Sequence, residues 1–215
     1  MVKTMKNKRV KSSLVLMITG ALLTASAVIF AANNLYEQNR AEKAAFDALS
    51  EMKFDTPLRA EDVGEAVIPD YVLNPDMDMP SEEIGGFEYI GKLEIPALDI
   101  ALPVMKEWSY KALKKSPCCY SGSIYKKNMV IAGHDYNKHF GGLKVLTAGD
   151  DIVFTDIDGN VFSYTVAETK ILAPDRIEEM TNGEYPLTLF TCTPGGASRV
   201  TVRCEMKRNI REEPE

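Results

Sequence analysis

Metal-binding patterns are absent from this sequence. The chain of 215 residues contains only four cysteines and two histidines. No cysteines are spaced as a CxxC pair and no ladder of cysteine and histidine occurs, so a structural zinc site is not expected. The adjacent residues Cys118 and Cys119 can bridge each other only with strain, and we therefore infer no disulfide between them.

Clustered positive charge is also lacking in the body of the chain. The net charge is −6, and basic residues gather only in the first eleven positions. This distribution argues against a nucleic-acid-binding surface. With 45% hydrophobic and 26% charged residues, the composition is typical of a globular protein. The length allows one domain with an appendage.

A long uncharged run follows the basic N-terminus. Residues 12–32 contain no charged side chain, and five lysines and arginines precede them. Such a run is long enough to cross a hydrocarbon core of ~30 Å as a helix, and the positive charges before it predict a cytoplasmic N-terminus. We therefore predict a cytoplasmic tail over 1–11, a single transmembrane anchor over 12–32 and an extracellular remainder. A cleaved signal peptide is the alternative, because Ala31 and Ala32 suit a cleavage site, but the length of the run favours an anchor.

Residues 33–83 are predicted to connect the membrane to a folded domain. The segment 33–54 is charged, rich in alanine and free of glycine and proline, which is typical of a solvated helical stalk. The segment 55–83 is acidic, contains four prolines and shows no clear period. It predicts a flexible linker that holds the domain away from the membrane.

Short β-type segments dominate from residue 84 to residue 210. They alternate apolar and polar residues and end at turn residues, as half-buried strands do. The predicted strands cover 87–95, 100–105, 128–134, 151–155, 161–167, 170–173, 188–192 and 199–205. The segment 118–123 is expected to be a loop. Seven or eight strands with only short helices favour a mostly β fold that closes into a barrel, followed by a charged tail over 211–215.

The last two predicted strands bring a thiol and an arginine together. Successive side chains point to opposite faces of a strand, so Phe190 and Cys192 share one face of the first strand. On the second strand Arg199 and Arg203 point one way, whereas Cys204 points the other way with two valines. Cys204 is therefore expected to be a small buried hydrophobe, which leaves Cys192 as the candidate nucleophile.

A cysteine nucleophile needs a base and a stabiliser for the oxyanion of the reaction intermediate. His134 follows an apolar strand directly, so it is expected at a strand end and is the preferred base. His139 lies in a charged loop flanked by glycines and is expected to be solvated. Arg199 is nearer to the hairpin turn than Arg203 and is the preferred stabiliser. Arg203 is otherwise expected to be a surface arginine that pairs with an acidic neighbour.

Four ordered motifs resemble those of the sortases, the cysteine transpeptidases of Gram-positive cell surfaces. TLFTC at 188–192 is similar to the TLxTC signature of that family, and VIAGH at 130–134 is similar to its histidine strand. SRVTVR at 198–203 resembles its arginine strand, and YIGKLEIP at 89–96 resembles the first strand of its domain. Their order and spacing agree over roughly 84–210, and a basic N-terminus with one membrane span also fits.

The resemblance implies a sortase-like barrel in which Cys192 attacks a Thr–Gly type bond in an LPxTG-like sorting motif. His134 would protonate the leaving amine and then deprotonate the incoming amine, while Arg199 would hold the substrate and the oxyanion. Thr191 and Arg203 become candidates for substrate binding. The substrates would be secreted surface proteins, and the acceptor would be an amine of the cell wall or of another protein.

No cofactor is expected for that chemistry. Some sortases bind calcium through acidic loop residues, and Asp150, Asp151, Asp156 and Asp158 make calcium an alternative here. The stretch from Asp156 lacks the spacing of a calcium loop, so a plain hairpin turn is favoured.

The subclass is left between two alternatives. HFGGLK at 139–144 is similar to a stretch of class B sortases, whereas the short segment 151–192 is closer to class D. The sequence FDTP at 54–57 does not match the lid motif of pilin-polymerising sortases, so an enzyme that anchors proteins is favoured. A membrane-anchored binding or thiol-redox module that uses Cys118 and Cys119 is the alternative function.

Overall fold

The computed structural model describes residues 2–54 and 68–207, with side chains described from residue 13 onward. Part of the predicted linker, residues 55–67, and the end of the chain from residue 208 lie outside the described residues. The described strands are β1 (Glu82–Ile84), β2 (Phe87–Ile95), β3 (Ile100–Met105), β4 (Cys118–Ser121), β5 (Met129–Gly133), β6 (Asp151–Asp156), β7 (Val161–Leu172), β8 (Leu187–Cys192) and β9 (Arg199–Met206). The α-helices are α1 (Val2–Glu51), α2 (Asp70–Leu73), α3 (Tyr110–Leu113) and α4 (Ile177–Thr181), with 3₁₀ turns at Pro96–Leu98 and Phe140–Val145.

The strands form one sheet that closes on itself. Their order is β1-β2-β3-β4-β5-β8-β9-β7-β6, and β6 pairs back onto β2. Eight strands, β2 to β9, therefore close the barrel, and β1 pairs only with β2 as an additional strand. This confirms the predicted mostly β barrel with short helices and an N-terminal helix before it.

Two strand predictions differ from the structure. The segment expected to be a loop contains β4, which pairs antiparallel with β5, so the loop prediction is wrong. Its Cys-Cys-Tyr-Ser sequence carries no β-branched residue, and the strand forms because β5 offers a free edge beside it. The segments predicted as separate strands at 161–167 and 170–173 are one strand, β7, which bends at an irregularity between Val166 and Glu168.

Every second side chain along the strands points into the barrel, and these side chains fill its interior. Inward-facing side chains from all parts of the sheet form one buried cluster, including Leu93, Ile131, Phe154, Leu187, Leu189, Val200, Val202 and Cys204. Cys204 is fully buried, as predicted, and burial raises the pKa of its thiol. The opposite face of β5 and β8 contributes Val130, Ala132 and Phe190 to a second cluster, where short helices cover the outside of the barrel.

The N-terminal helix has two different parts. Residues 2–40 form a unit of their own, and residues from Ala41 onward belong with the barrel. Within Ser13–Glu51, a window of 18 residues has a mean hydropathy of 2.3, and the helix is long and apolar enough there to cross a membrane. A signal sequence near an N-terminus would meet the same criterion, so length and composition support a membrane anchor without distinguishing the two.

The last turns of α1 are packed against the barrel. Ala41, Ala45 and Ala48 lie along one side of the helix and are buried, as is Met52 directly after it. Residues three and four apart share a helix face, so this alanine stripe faces the domain while the charged side of the helix faces water. The expectation of a fully solvated stalk does not hold for this part of α1.

Part of the segment predicted as a flexible linker also packs on the barrel. Residues 68–83 include α2, and Met79 is buried in the barrel cluster. The ring of Tyr71 stacks on that of Tyr125, with centroids 4.8 Å apart and planes 9° from parallel. Aromatic contacts thus hold this described part of the segment, which its acidic composition did not indicate.

Candidate active site

Strand register brings three of the predicted site residues to the same end of the barrel. β5 and β8 are parallel neighbours, and Gly133 pairs with Thr191. His134 follows Gly133 directly after β5 ends, and Cys192 is the last residue of β8. Adjacent strands lie about 4.8 Å apart, so the backbones at these two positions are neighbours at this end of the barrel.

The arginine completes this group from the other side of the cysteine. β8 and β9 are antiparallel, and Cys192 pairs directly with Arg199. Residues directly opposite each other in such a pair place their side chains on the same face. Leu189 faces the barrel interior, and Cys192 is three residues further along β8. Because successive side chains alternate between the two faces of a strand, the side chain of Cys192 points to the outer face. Cys192 is a half-buried free thiol.

Thr191 is oriented away from this group. It lies between two outward-facing residues of β8, its side chain is buried, and its hydroxyl has no hydrogen-bond partner among the described residues. The inward orientation follows from the two-residue period of the strand. The side chain of Thr191 thus lies on the opposite face of β8 from that of Cys192, and its substrate-binding role stays a prediction.

The loop that carries His134 is held by close packing against Gly133. A Cβ atom added to Gly133 would lie 2.5 Å from the ring of Phe140, so the aromatic ring occupies space that only glycine leaves open. The amide of Phe140 donates a hydrogen bond to the carbonyl oxygen of His134 at 3.0 Å. The imidazole stacks on Tyr136, with ring centroids 4.8 Å apart.

The surroundings of His134 favour its neutral form. Partial burial lowers the pKa of His134, the neighbouring carboxylate of Asp135 raises it in part, and the ammonium of Lys114 lowers it further. Burial disfavours the charged imidazolium because it is poorly solvated. A neutral imidazole near pH 7 is able to accept a proton from a thiol.

The prediction that His139 is solvated is wrong. Its residue is 1% exposed, and both ring nitrogens are buried without a hydrogen-bond partner among the described residues. Burial lowers the pKa of His139 to about 4, and the charge of His134 contributes to a smaller extent. The nearby backbone of Ala41 opposes this shift but makes no hydrogen bond to the ring. The final turns of α1 pack against this region, which is why the loop composition was misleading.

Arg199 is held against the turn of its own hairpin. Its Nη1 donates hydrogen bonds to the carbonyl oxygens of Gly196 and Ser198, each at 3.1 Å. A guanidinium carries five N–H donors in a planar fork, so two bonds from one nitrogen orient the group without using all its donors. Arg199 therefore pairs with Cys192 across the two strands, and its guanidinium keeps donors that these two bonds do not use.

Arg203 is not the surface arginine that was expected. Its side chain is 5% exposed and contacts three carboxylates, with Nη1 3.0 Å from Glu168 and 3.8 Å from Glu184, and Nη2 3.6 Å from Glu179. Nη2 also donates a hydrogen bond to the carbonyl oxygen of Glu179 at 2.9 Å. The sequence indicated an acidic partner but not the burial, because these glutamates are 19 to 35 residues away along the chain.

An aromatic row on the outer face was missed by the sequence reasoning. The rings of Tyr120 and Phe190 meet edge to face at 5.3 Å, and Trp108 contacts both Tyr120 at 5.9 Å and Tyr110 at 5.1 Å. We call these four residues the aromatic row. Its inner end, Phe190, is two residues before Cys192 on the same face, and its outer end is solvent-exposed. The one signal in the sequence was that Phe190 and Cys192 share a face of their predicted strand.

The adjacent cysteines of β4 have the environment of inert thiols. Burial raises the pKa of Cys118 to about 12 and that of Cys119 to about 11. Both are free. Reactive thiols have lowered pKa values, so neither cysteine shows the property that a thiol-redox role requires.

Three of the four aspartates considered for calcium are engaged with protein donors. Asp156 accepts hydrogen bonds from the hydroxyl of Tyr125 at 2.7 Å and from the amide of Asn160 at 2.8 Å. Asp150 accepts the amide of Thr147 at 2.7 Å, and Asp151 pairs with Lys207 at 2.9 Å. Within the described ranges no three acidic, histidine or cysteine side chains are grouped to hold a metal ion.

The fold and the strand-end thiol define a closed β-barrel protein with a candidate cysteine nucleophile on its outer face. The Sortase domain model matches residues 93–207, more than half of the chain. The chain belongs to the sortase family, whose members are cysteine transpeptidases of the cell surface.

The chain is also similar to individual sortases in sequence and in structure. Sortase A of Bacillus anthracis is 27% identical over 143 residues, which cover 63% of this chain and 64% of that protein. Sortase C1 from Streptococcus suis is 26% identical with a TM-score of 0.50, over 59% of this chain and 76% of that structure. The Sortase D5 transpeptidase of Clostridium perfringens shares the fold, with 21% identity and a TM-score of 0.50 over 59% of this chain and 83% of that one. These names come from three sortase classes, so the shared fold does not assign a class.

Proposed function

We propose that this chain is a membrane-anchored transpeptidase that joins secreted proteins to an amine of the Gram-positive cell wall or of another protein. It would cut an LPxTG-like sorting motif near the C-terminus of those proteins. The observation that carries the proposal is the pairing register, in which Gly133 pairs with Thr191 and Cys192 pairs with Arg199. This register supports a site in which the thiol is flanked by the imidazole of His134 and the guanidinium of Arg199.

In the first half of the reaction the thiol of Cys192 loses its proton to His134 and attacks the carbonyl carbon of the Thr–Gly type bond. The guanidinium of Arg199 stabilises the oxyanion that develops on the carbonyl oxygen. The C–N bond then breaks, and His134 gives its proton to the leaving amine. The product is a thioester between Cys192 and the N-terminal part of the substrate.

In the second half an acceptor amine attacks the thioester. His134 takes a proton from that amine, a new amide bond forms and the sulfur of Cys192 leaves. Water in place of the amine would give hydrolysis instead of transfer. The lowered pKa of His134 supports its role as the base in this step, because the imidazole is neutral near pH 7.

The aromatic row supports a peptide cleft that ends at Cys192. Its exposed rings, Trp108 and Tyr110, offer an apolar surface, and the row leads through Tyr120 to Phe190 beside the thiol. The leucine and proline of an LPxTG-like motif are apolar side chains that such a surface accommodates. The competing thiol-redox function has no comparable support, since burial raises the pKa of both cysteines of β4.

The test uses a soluble fragment, residues 41–207, which retains the part of α1 that packs on the barrel. It is incubated with LPxTG-like and NPxTN-like peptides plus an amine, and acyl adducts and products are detected by mass spectrometry. We expect an adduct on Cys192 that is lost in Cys192→Ala and kept in Cys119→Ser. An adduct that persists in Cys192→Ala, or wild-type protein that acts on no peptide of the panel, would contradict the proposal.

A further inference from the structure

A single buried arginine connects the barrel wall to the segment between β7 and β8. This segment, residues 173–186, contains α4 and is called the β7–β8 loop below. We propose that Arg203 is a positioning residue that fixes the β7–β8 loop over the outer face of the barrel and so sets which peptides fit beside Cys192. The inference rests on the proposed transpeptidase function and specifies how its substrate cleft is built.

On the loop side, Arg203 contacts three residues that span the loop from α4 to its end. Nη2 donates to the carbonyl oxygen of Glu179 at 2.9 Å and lies 3.6 Å from the carboxylate of the same residue. Nη1 lies 3.8 Å from the carboxylate of Glu184, and the guanidinium covers the ring of Tyr185 at 5.2 Å. One side chain thus holds both the helix and the exit of the loop.

On the barrel side, Arg203 is anchored to the neighbouring strand. Its Nη1 donates to the carboxylate of Glu168 at 3.0 Å, and the two residues are paired across β9 and β7. Glu168 also binds the ammonium of Lys170 at 2.8 Å. The guanidinium therefore bridges a rigid strand and a loop that has only one short helix of its own.

The contacts by which Arg203 joins β7 to the β7–β8 loop are called the bridge below. They differ from those of a surface ion pair because the guanidinium is buried. The Arg203 side chain is 5% exposed, so its hydrogen bonds to Glu168 and to the carbonyl oxygen of Glu179 are shielded from water. The carboxylates of Glu179 and Glu184 are 39% and 61% exposed, so their ion pairs with Arg203 are screened more strongly. Removal of the guanidinium would leave the carboxylates of Glu179 and Glu184 without the cation that they share with Glu168, while Glu168 would keep only its contact with Lys170. A lysine keeps the charge but cannot reproduce the planar fork that reaches a carbonyl and a carboxylate together.

The bridge lies on the same face as the candidate nucleophile. Arg203 pairs with Thr188, and Cys192 is four residues further along β8, about 13 Å at the usual rise per residue. Phe190 lies between them on that face, and Met180 of α4 is buried in the same apolar cluster as Phe190. The loop held by Arg203 therefore borders the surface along which a peptide reaches Cys192.

The experiment compares Arg203→Met with Lys170→Met in the fragment 41–207. Both substitutions remove a cation bonded to Glu168, but the contacts described for Lys170 reach no loop residue. We expect Arg203→Met to speed amide hydrogen exchange in 177–186 about tenfold and to raise KM for a cleaved peptide about tenfold with kcat nearly unchanged. Lys170→Met should change neither, and Arg203→Lys should restore part of both.

Two further outcomes keep this test decisive. If wild-type protein cleaves no peptide, the proposed function fails, while the exchange of the β7–β8 loop still tests the bridge. If Arg203→Met does not fold, Glu184→Gln weakens the loop-side contact alone and should increase exchange near residue 184. Unchanged exchange in Arg203→Met, an equal effect in Lys170→Met, or a fall in kcat without a change in KM would overturn the positioning role.

Discussion

At the scale of single residues, the pKa of His134 is set by burial and by two nearby charges of opposite sign. Asp135 raises this pKa and Lys114 lowers it, while burial lowers it most. We therefore expect Asp135→Asn to lower the pKa of His134 further and Lys114→Met to raise it. NMR titration of the imidazole protons measures both shifts, and because the chain has only two histidines, a His139→Leu variant assigns the signals. Shifts of the same sign in the two variants would contradict the described environment.

His139 is expected to make folding sensitive to acid. The pKa of His139 is lowered to about 4 in the folded protein, whereas a histidine in the unfolded chain has a pKa of about 6.5. Below pH 6.5, therefore, the unfolded chain binds more protons than the folded protein. The contribution of neutral His139 to the free energy of unfolding is complete above pH 6.5 and is lost as the pH falls towards 4. The free energy of unfolding should therefore fall by about 2 kcal/mol between pH 7.5 and pH 5.

Urea denaturation at these two pH values measures the free energy of unfolding. Wild-type protein should lose about 2 kcal/mol more than His139→Leu on acidification, because the leucine cannot be protonated and His134 is present in both proteins. An equal loss in the two proteins would show that His139 is not buried in its neutral form.

At the scale of elements, the last turns of α1 should contribute to the stability of the barrel domain. Ala45 is buried against the barrel, whereas Ser50 is on the exposed side of the same helix. A glutamate at position 45 would place a charge in an apolar contact, so Ala45→Glu should lower the free energy of unfolding of the fragment 41–207 by about 2 kcal/mol or more.

Ser50→Glu is the matched control for this prediction and should change stability by less than about 0.5 kcal/mol. Chemical denaturation compares both variants with a fragment that begins at residue 68. If Ala45→Glu unfolds like wild-type protein, the packing of α1 on the barrel does not stabilise the domain.

At the scale of the whole molecule, the chain is expected to stay attached to the membrane through its N-terminal helix. The apolar stretch from Ser13 has the length and hydropathy of a membrane span, and the basic residues before it favour retention of the N-terminus in the cytoplasm. In a Gram-positive host, the full chain should sediment with membranes after alkaline extraction, and protease added outside should digest the barrel domain.

Removal of residues 1–32 should abolish membrane attachment without affecting the domain, whose residues from Ala41 form a separate unit. Release of a shortened protein from cells that express the full chain would instead indicate a cleaved signal peptide. Mass spectrometry of the N-terminus distinguishes these two results.

Predictions that depended on local pattern agreed well with the structure. Alternation along the last two strands correctly separated outward-facing Cys192 from buried Cys204, because the two-residue period of a strand is a local property. Barrel closure was also predictable, since the chain offers many short strands and few helices. Pairing of β4 was not predictable, because its residues have weak strand preference and its partner is supplied by β5.

The sequence alone determined most of the strands, which of their side chains share a face and to which family the chain belongs. Only the tertiary structure decided that His139 is buried, that α1 packs on the barrel, and that Arg203 bridges β7 to the β7–β8 loop. The contacts of Arg203 join residues 19 to 35 positions apart. Burial and charge pairing at such distances depend on how strands and loops meet in space, and no local period in the sequence encodes that.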